Sequence, residues 1–376
     1  MHMVQQTLSA KIRQHGDILP LASATNRRTF RAPLYAAIDL GTHNCRLLVA
    51  RAGEQGLRVI DSFSRAVRLG EGLHHSGQLA EAAMERTIGV LRTCVARMGL
   101  YDLHSHRAIA TEACRRAGNG MDFIARVLHE TGLNISVISA REEAELALAA
   151  CNSLLQTHHH AAGRGLLFDI GGGSTEIAWA RIDRGAGRHD LSGYISLPAG
   201  IMTVGERYGT DIFTDHGYRA VVGEISDMLR GFDDVHCITR EIARGNVMLL
   251  GTSGTITTLA SLAQGQDRYE RAGIDGSTLS VSHALGLIAT LRRSGMAGLA
   301  RHPLIGADRA RYILPGCAIF EAIATTWPMP DVTVADRGLR DGLLLRMIGD
   351  RRRHGGLSAA PPSFPLHNRM EHRVIT

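Results

Sequence analysis

Two short stretches of the sequence are built alike, and both contain residue types that bind phosphate. Residues 35–50 read YAAIDLGTHNCRLLVA, and residues 166–180 read LLFDIGGGSTEIAWA. In each stretch an apolar strand ends near an aspartate, Asp39 or Asp169, a glycine-containing polar turn follows, and a second apolar strand begins. Because two such hairpins lie 130 residues apart, they predict a duplicated fold with one phosphate-binding loop in each half.

The turns between these strands have the features of an anion-binding loop. Glycine lets the backbone approach an anion and adopt positive φ angles, and consecutive N–H groups in such a turn form a concave anion site. An aspartate at the strand end can hold a hard cation that bridges to phosphate oxygens. The alternative is two ordinary hairpins with tight turns, which the repetition of the pattern disfavours.

Neither turn follows the common nucleotide-binding patterns. The lysine and hydroxyl residue that end a Walker loop are absent, and apolar residues follow each turn where a dinucleotide-binding loop would open a helix. A third small-residue turn, 251–255 (GTSGT), follows an apolar stretch and opens a predicted helix that runs to Leu262. A helix N-terminus behind such a turn, here at Gly254, favours an anion or a nucleotide. A plain strand-to-helix turn fits this stretch equally well.

Glu143 is a candidate general base in the first turn of a predicted helix. Ser139 and Glu142 fit the S-x-x-E capping box at the start of that helix, and Arg141 and Glu145 are spaced to pair on its surface. Glu143 has neither structural role and lies just upstream of the second turn, where a carboxylate could deprotonate a water that attacks a bound phosphate. The alternative is a solvated acid favoured by the helix dipole.

The elements that must position these residues alternate between strand and helix. A polar segment, 61–77, follows the first hairpin. Between this segment and the second hairpin, the patterns predict helix 79–98, strand 108–110, helix 122–130, strand 135–138 and helix 140–155. Strand 246–250, a helix near 318–324 and strand 332–335 follow the second hairpin. This order indicates a duplicated α/β fold.

Composition and charge narrow the class of protein. The chain has 376 residues, of which 44% are hydrophobic and 21% charged, as in soluble globular proteins. The positive net charge of +6 lies at the two ends of the chain, so we expect disordered basic extensions at 1–33 and 350–376 and no nucleic-acid-binding face on the body. We also expect no membrane span. Six scattered cysteines without a C-x-x-C pair indicate reduced thiols and a cytoplasmic location.

Seven motifs that occur in a fixed order carry a resemblance to a known family. They are 38–44 (IDLGTHN), 110–115 (ATEACR), 139–144 (SAREEA), 169–176 (DIGGGSTE), 197–200 (LPAG), 251–255 (GTSGT) and 336–342 (DRGLRDG). With them, residues 35–345 resemble the exopolyphosphatase and guanosine pentaphosphate phosphohydrolase family of the actin-like ATPase superfamily. The motifs are specific for the family and much less specific for its substrate.

The resemblance implies an α/β fold of two ribonuclease-H-like (actin-like ATPase) domains around a central cleft. Domain I would comprise 34–139 and 337–349, and domain II would comprise 140–336. It also implies hydrolysis of a terminal phosphoanhydride assisted by Mg²⁺ or Mn²⁺, with Glu143 as catalytic base and Arg115 as a phosphate-binding arginine. The implied phosphate ligands are Gly41, Thr42, Asn44, Gly171, Gly172, Gly173, Ser174 and Gly254, and the implied metal ligands are Asp39, Asp169 and Glu176.

Two features depart from the family's pattern. His43 and Cys45 occupy positions of the first hairpin where asparagine and serine are expected, which leaves the hydrogen bonds of that turn open. The chain also ends shortly after the actin-like core, without the C-terminal helical region of longer members. That shorter form argues against high processivity on long chains and against tight recognition of guanosine.

Several functions fit these expectations. The leading one is an exopolyphosphatase that releases orthophosphate from polyphosphate, and hydrolysis of guanosine pentaphosphate is the nearest alternative. A kinase-type phosphotransferase and a non-catalytic nucleotide sensor of the same superfamily are the others. The expected partner is therefore polyphosphate or a polyphosphorylated guanosine nucleotide, with neither nucleic acid nor membrane, and the sequence leaves a homodimer open.

Overall fold

A computed structural model describes residues 32–53, 56–156 and 162–353. From Pro33 onward the described residues form one compact unit, which contains two β-sheets. The predicted extension up to residue 31 and the predicted tail from residue 354 lie outside the described residues. None of the described helices is both long enough and apolar enough to cross a membrane.

The first sheet has five strands in the order β3-β2-β1-β4-β5. The strands are β1 (Leu34–Leu40), β2 (Asn44–Gly53), β3 (Gly56–Ala66), β4 (Leu103–Ala110) and β5 (Ile135–Val137). The first three pair antiparallel, whereas β1, β4 and β5 pair parallel. Its helices are α1 (Leu73–Ser76), α2 (Glu81–Met98), α3 (Glu112–Arg116) and α4 (Gly120–Thr131).

The second sheet has six strands in the order β10-β11-β9-β6-β7-β8. The strands are β6 (Arg164–Ile170), β7 (Thr175–Asp183), β8 (Arg188–Leu197), β9 (Val247–Thr252), β10 (Thr278–Ser280) and β11 (Asp331–Ala335). The helices after β5 are α5 (Ala140–Leu155), α6 (Ile201–Tyr208), α7 (Asp215–His236), α8 (Ile238–Ala243), α9 (Gly254–Ala263), α10 (Arg271–Ile274), α11 (Val281–Arg301), α12 (Gly306–Thr326) and α13 (Leu339–Arg353), with a 3-10 helix at Gly209–Phe213.

The two sheets repeat one topology, which confirms the predicted duplication. In the second sheet β6, β7 and β8 pair antiparallel, and β6 pairs parallel with β9, which pairs parallel with β11. This matches the arrangement of β1, β2, β3, β4 and β5, with β10 added at the edge. Each central strand therefore brings its aspartate, Asp39 or Asp169, to the carboxyl end of a parallel pair.

Helices α5 and α13 pack against each other between the sheets. Their apolar side chains share one core with residues of both sheets, among them Ala37 of β1 and Leu167 of β6. The helices approach so closely that a Cβ on Gly342 would lie 2.0 Å from the Leu146 carbonyl oxygen. Since Glu143 is in the first turn of α5, this contact fixes the candidate base relative to both sheets.

The structure corrects three boundaries predicted from the sequence. The segment 61–77 is not merely a polar connection, because its first six residues continue β3 and Leu73–Ser76 form α1. The strand predicted at 108–110 begins earlier, at Leu103. Residues 350–353, predicted to open a disordered tail, belong instead to α13.

Candidate active site

The two predicted phosphate turns are closed by the same hydrogen bond. The Gly41 N–H donates to the Asn44 carbonyl oxygen, and the Gly171 N–H donates to the Ser174 carbonyl oxygen, at 2.9 Å in both cases. The duplication expected from the sequence therefore extends to the backbone of the turns. The predicted ligand Thr42 is buried within the first turn.

The glycines of the second turn are explained by close approach and not by unusual backbone angles. None of the turn glycines has a positive φ, so that part of the sequence-based expectation is wrong. A Cβ on Gly171 would lie 2.9 Å from the Ser174 carbonyl oxygen, and a Cβ on Gly173 would lie 2.5 Å from Thr42 Oγ1. A side chain at Gly171 would distort its own turn, and one at Gly173 would push the two turns apart.

The two turns contact each other directly. A Cβ on Gly172 would lie 3.0 Å from both the backbone nitrogen and the Cβ of His43. Farther out, the Gly72 N–H donates to Glu206 Oε1 at 3.0 Å, which joins the segment after β3 to α6. A small cavity beside this contact touches both turns and is lined by Thr42, Gly70, Leu73, His74, Glu112, Arg116, Gly173, Thr203 and Glu206.

Four carboxylates are buried or partly buried around the turns. Burial raises the pKa of Asp39, while Arg46 and then Arg340 oppose that change. Burial also raises the pKa of Asp169 to about 6, again against the charge of Arg46. For Glu176, which is 2% exposed, burial raises the pKa to about 7 although the Ser174 hydroxyl donates to its Oε1 at 2.6 Å.

Glu143 is the fourth of these carboxylates and is only 6% exposed. Burial, followed by the negative charge of Glu176, holds its pKa well above the usual value, whereas Arg115 opposes this. The solvated first-turn acid considered from the sequence is therefore not what the structure shows. Burial and a raised pKa are properties typical of a carboxylate that acts as a general base.

Arg115 holds Glu143 in place. Its Nη1 donates to Glu143 Oε2 at 3.1 Å and to the Ile138 carbonyl oxygen at 2.8 Å, while its Nη2 pairs with Glu112 at 2.7 Å. The predicted phosphate-binding arginine therefore lies next to the predicted base. Two carboxylates share this one guanidinium, which leaves local negative charge for a cation or a proton to balance.

Ser139, Arg141 and Glu145 have the structural roles predicted for them, whereas the side chain of Glu142 does not. The Ser139 hydroxyl accepts from the Glu142 N–H at 3.1 Å, and Arg141 pairs with Glu145 at 3.0 Å. The Glu142 carboxylate does not complete the capping box and instead approaches Arg346 of α13 at 3.5 Å. Consecutive glutamates thus face different surroundings, with Glu142 toward Arg346 of α13 and Glu143 toward Arg115.

The donor atoms near the turns suit a hard cation that arrives with phosphate. Asp39 Oδ1 is buried and has no hydrogen-bond partner among the described residues. Within the same residues no three acidic, histidine or cysteine side chains converge as a metal site, so Asp39, Asp169 and Glu176 do not form one ligand set. Mg²⁺ commonly takes one or two carboxylates and completes its shell with water and substrate phosphates, which Asp39 and Asp169 can provide.

The third predicted turn lies beside an arginine that the motifs did not indicate. Ser253 has a φ of 129°, a strained angle for a residue with a side chain, and its hydroxyl accepts from the Thr255 N–H. The Gly254 carbonyl oxygen accepts from Arg309 Nη2 at 2.9 Å. Gly254 is thus part of a fixed helix start that is held by the guanidinium of Arg309.

Three arginines near the turns were missed as site residues. Arg46 is the cross-strand partner of Asp39, Arg340 donates to the Leu47 carbonyl oxygen at 3.0 Å, and burial together with Arg46 lowers the pKa of both Arg309 and Arg340. Arg46 and Arg340 lie in or beside recognised motifs and could have been chosen for their charge. Arg309 lies in no motif, so only the packing of α12 reveals it.

Comparison with known proteins agrees with this geometry. A model of the Ppx/GppA phosphatase family matches residues 48–351, a range that includes Arg115, Glu143 and the second turn. The crystal structure of the Aquifex aeolicus member of the Ppx/GppA family is similar, with 27% identity and a TM-score of 0.69 over 85% of this chain and 98% of that one.

Two further structures are also similar. The type II variant of the Aquifex aeolicus Ppx/GppA phosphatase has 28% identity and a TM-score of 0.64 over 84% of this chain and 99% of that one. An exopolyphosphatase from Cytophaga hutchinsonii has 21% identity and a TM-score of 0.73 over 84% and 98%, and at that identity it shows the fold alone. The fold is that of two ribonuclease-H-like domains, as predicted.

The burial of these carboxylates predicts how the free energy of unfolding depends on pH. The pKa of Glu176 is about 7 in the folded protein against an ordinary value of 4.5, so the folded state binds the proton more tightly and loses stability as pH rises through that range. In EDTA, we expect Glu176→Gln to stabilise the protein by up to about 3 kcal/mol at about pH 8 and very little at about pH 5, measured by urea unfolding. The exposed Glu71→Gln is the control, and equal stability of parent and Glu176→Gln at both pH values would contradict the prediction.

Proposed function

The chain belongs to the Ppx/GppA phosphatase family, and from that premise we propose that it is an exopolyphosphatase. It hydrolyses the terminal phosphoanhydride bond of polyphosphate and releases orthophosphate, with Mg²⁺ as cofactor. The observation that carries the proposal is the contact between the two glycine turns, with Glu143 held beside them by Arg115. Two adjoining anion sites suit successive phosphates of a linear chain.

The proposed role of Glu143 is to accept a proton from the attacking water. Its raised pKa makes it a stronger base than an exposed glutamate, and general-base catalysis is most effective when that pKa approaches the working pH. Arg115 keeps the carboxylate oriented in the absence of substrate. When a phosphate binds, the same guanidinium can bridge the base and a phosphate oxygen, since it provides donors on more than one edge.

The backbone of the turns stabilises the charge that develops on the phosphoryl group. Fixed N–H donors are effective because they need no reorganisation during the reaction, and the Gly41–Asn44 and Gly171–Ser174 hydrogen bonds fix these two turns. A bound Mg²⁺ would neutralise charge on the phosphate oxygens, and Asp39 and Asp169 are the residues that would hold it. Glu176 Oε1 already accepts from Ser174 and Ser196, so its proposed role is to add negative charge near Glu143.

The assignment of the base predicts different results at two consecutive glutamates. Glu143→Gln keeps the size of the side chain and removes the base, so we expect the rate of phosphate release to fall by about 10²–10⁴-fold. The Kd for tripolyphosphate, measured by calorimetry, should change little. Glu142→Gln is the matched control and should keep the parent rate, since Glu142 faces Arg346. A rate that survives Glu143→Gln and is lost with Glu142→Gln would show that the assignment is wrong.

The choice of substrate is tested by a panel assayed for phosphate release. The panel comprises polyphosphates of several lengths, guanosine pentaphosphate, ATP and a simple phosphomonoester, each with Mg²⁺ and with EDTA. We expect kcat/KM to be highest for polyphosphate, and activity to be lost in EDTA and strongly reduced in Asp169→Asn. Activity confined to guanosine pentaphosphate or to the monoester would reject the polyphosphate assignment, and full activity in EDTA would remove the metal from the mechanism.

A further inference from the structure

His43 occupies the point where the two halves of the site meet. Its carbonyl oxygen accepts from the N–H groups of Val67 and Arg68, both at 2.9 Å, which fixes its backbone. On its other side Gly172 of the second turn lies against its Cβ and backbone nitrogen. Any chain of phosphates that contacts both turns must therefore pass close to this residue.

The ring of His43 is packed, but one of its nitrogens is not satisfied. It makes an edge-to-face contact with Tyr312 of α12, with ring centroids 5.1 Å apart and an interplanar angle of 71°. Its Nε2 is buried and finds no hydrogen-bond partner in the part of the chain that the structure describes. Buried polar atoms in native proteins nearly always have a partner, so this nitrogen indicates a group that comes from outside the chain.

The charges around His43 indicate that this group is an anion. Positive charge faces the ring from three elements, Arg46 of β2, Arg68 after β3 and Arg309 of α12, and Asn44 forms a side-chain hydrogen bond with it. The second turn contributes only backbone at this contact. Burial, and then the arginines, lower the pKa of His43 despite that hydrogen bond, so the ring is neutral at neutral pH when no anion is bound.

We propose that His43 is a substrate ligand, which takes up a proton from solvent when a polyphosphate binds and donates its Nε2–H to a phosphate oxygen. The negative charge of the bound chain reverses the effect of the three arginines, because it favours the charged imidazole that they disfavour. Substrate binding is thereby coupled to proton uptake at one residue. The chemical class of the ligand rests on the proposed function, whereas the position of the ring and its open nitrogen do not.

Proton uptake at His43 can be measured directly by NMR. The experiment uses protein labelled with ¹³C at histidine Cε1, in a Glu143→Gln background that prevents hydrolysis, titrated over pH with and without Mg²⁺-tripolyphosphate. His43→Phe identifies the signal and keeps the ring contact with Tyr312. We expect the titration midpoint of His43 to rise by at least about one pH unit with tripolyphosphate, which corresponds to about tenfold tighter binding to the protonated form.

The controls separate this inference from the proposed function. The affinity for tripolyphosphate should weaken about tenfold toward high pH in the Glu143→Gln protein and lose this dependence in Glu143→Gln with His43→Phe. A midpoint that does not move, or a pH dependence that survives His43→Phe, would overturn the role of His43. Phosphate release by the native protein from polyphosphate tests the proposed function independently, so that function would stand if only the His43 result were negative.

Discussion

The contact between the two glycine turns is the constraint that the rest of the structure serves. Gly173 lies so close to Thr42 that no side chain fits there, and Gly172 is in tight contact with His43. The repeated topology of the sheets brings the turns to the same place, and the packing of α5 on α13 fixes the position of one sheet relative to the other. Without this contact the site would be two separate anion loops, and Glu143 would have no fixed position relative to either.

The contact between the turns has an unfavourable electrostatic consequence, because acidic side chains are buried around it. Burial raises the pKa of four carboxylates, those of Asp39, Asp169, Glu176 and Glu143. Without ligands the site therefore holds several acidic groups close together, and bound protons partly neutralise their negative charge. Arg46, Arg115 and Arg340 offset that charge without cancelling it. A substrate that arrives with a divalent cation suits both sets of groups, because the cation binds the carboxylates while the phosphates bind the arginines and the backbone N–H groups.

The sequence predicted the duplicated fold and named Arg115 and Glu143 as site residues, because these predictions rest on local patterns and on ordered motifs. Its expectation of positive φ angles at the turn glycines was wrong, because Gly173 is explained by its closeness to Thr42, where an added Cβ would lie 2.5 Å from Oγ1, and that closeness arises only when the two halves pack together. Arg309 was missed for the same reason: it reaches Gly254 from a helix more than fifty residues later. The strand within 61–77 was missed because β3 is an edge strand whose side chains are exposed or half-buried, and the helix was missed because α1 has only four residues, too few to show a helical period.

The most direct test of the proposed mechanism is to determine where the oxygen atom of the attacking water is incorporated. Polyphosphate hydrolysed in H₂¹⁸O and analysed by ³¹P NMR shows which phosphorus is attacked, because ¹⁸O shifts the resonance of the atom that gains it. If Glu143 activates a water against the terminal phosphate held between the turns, each released orthophosphate will carry one ¹⁸O atom and the shortened chain will carry none. Label in the shortened chain, or phosphate that leaves only when a second acceptor is added, would contradict the account.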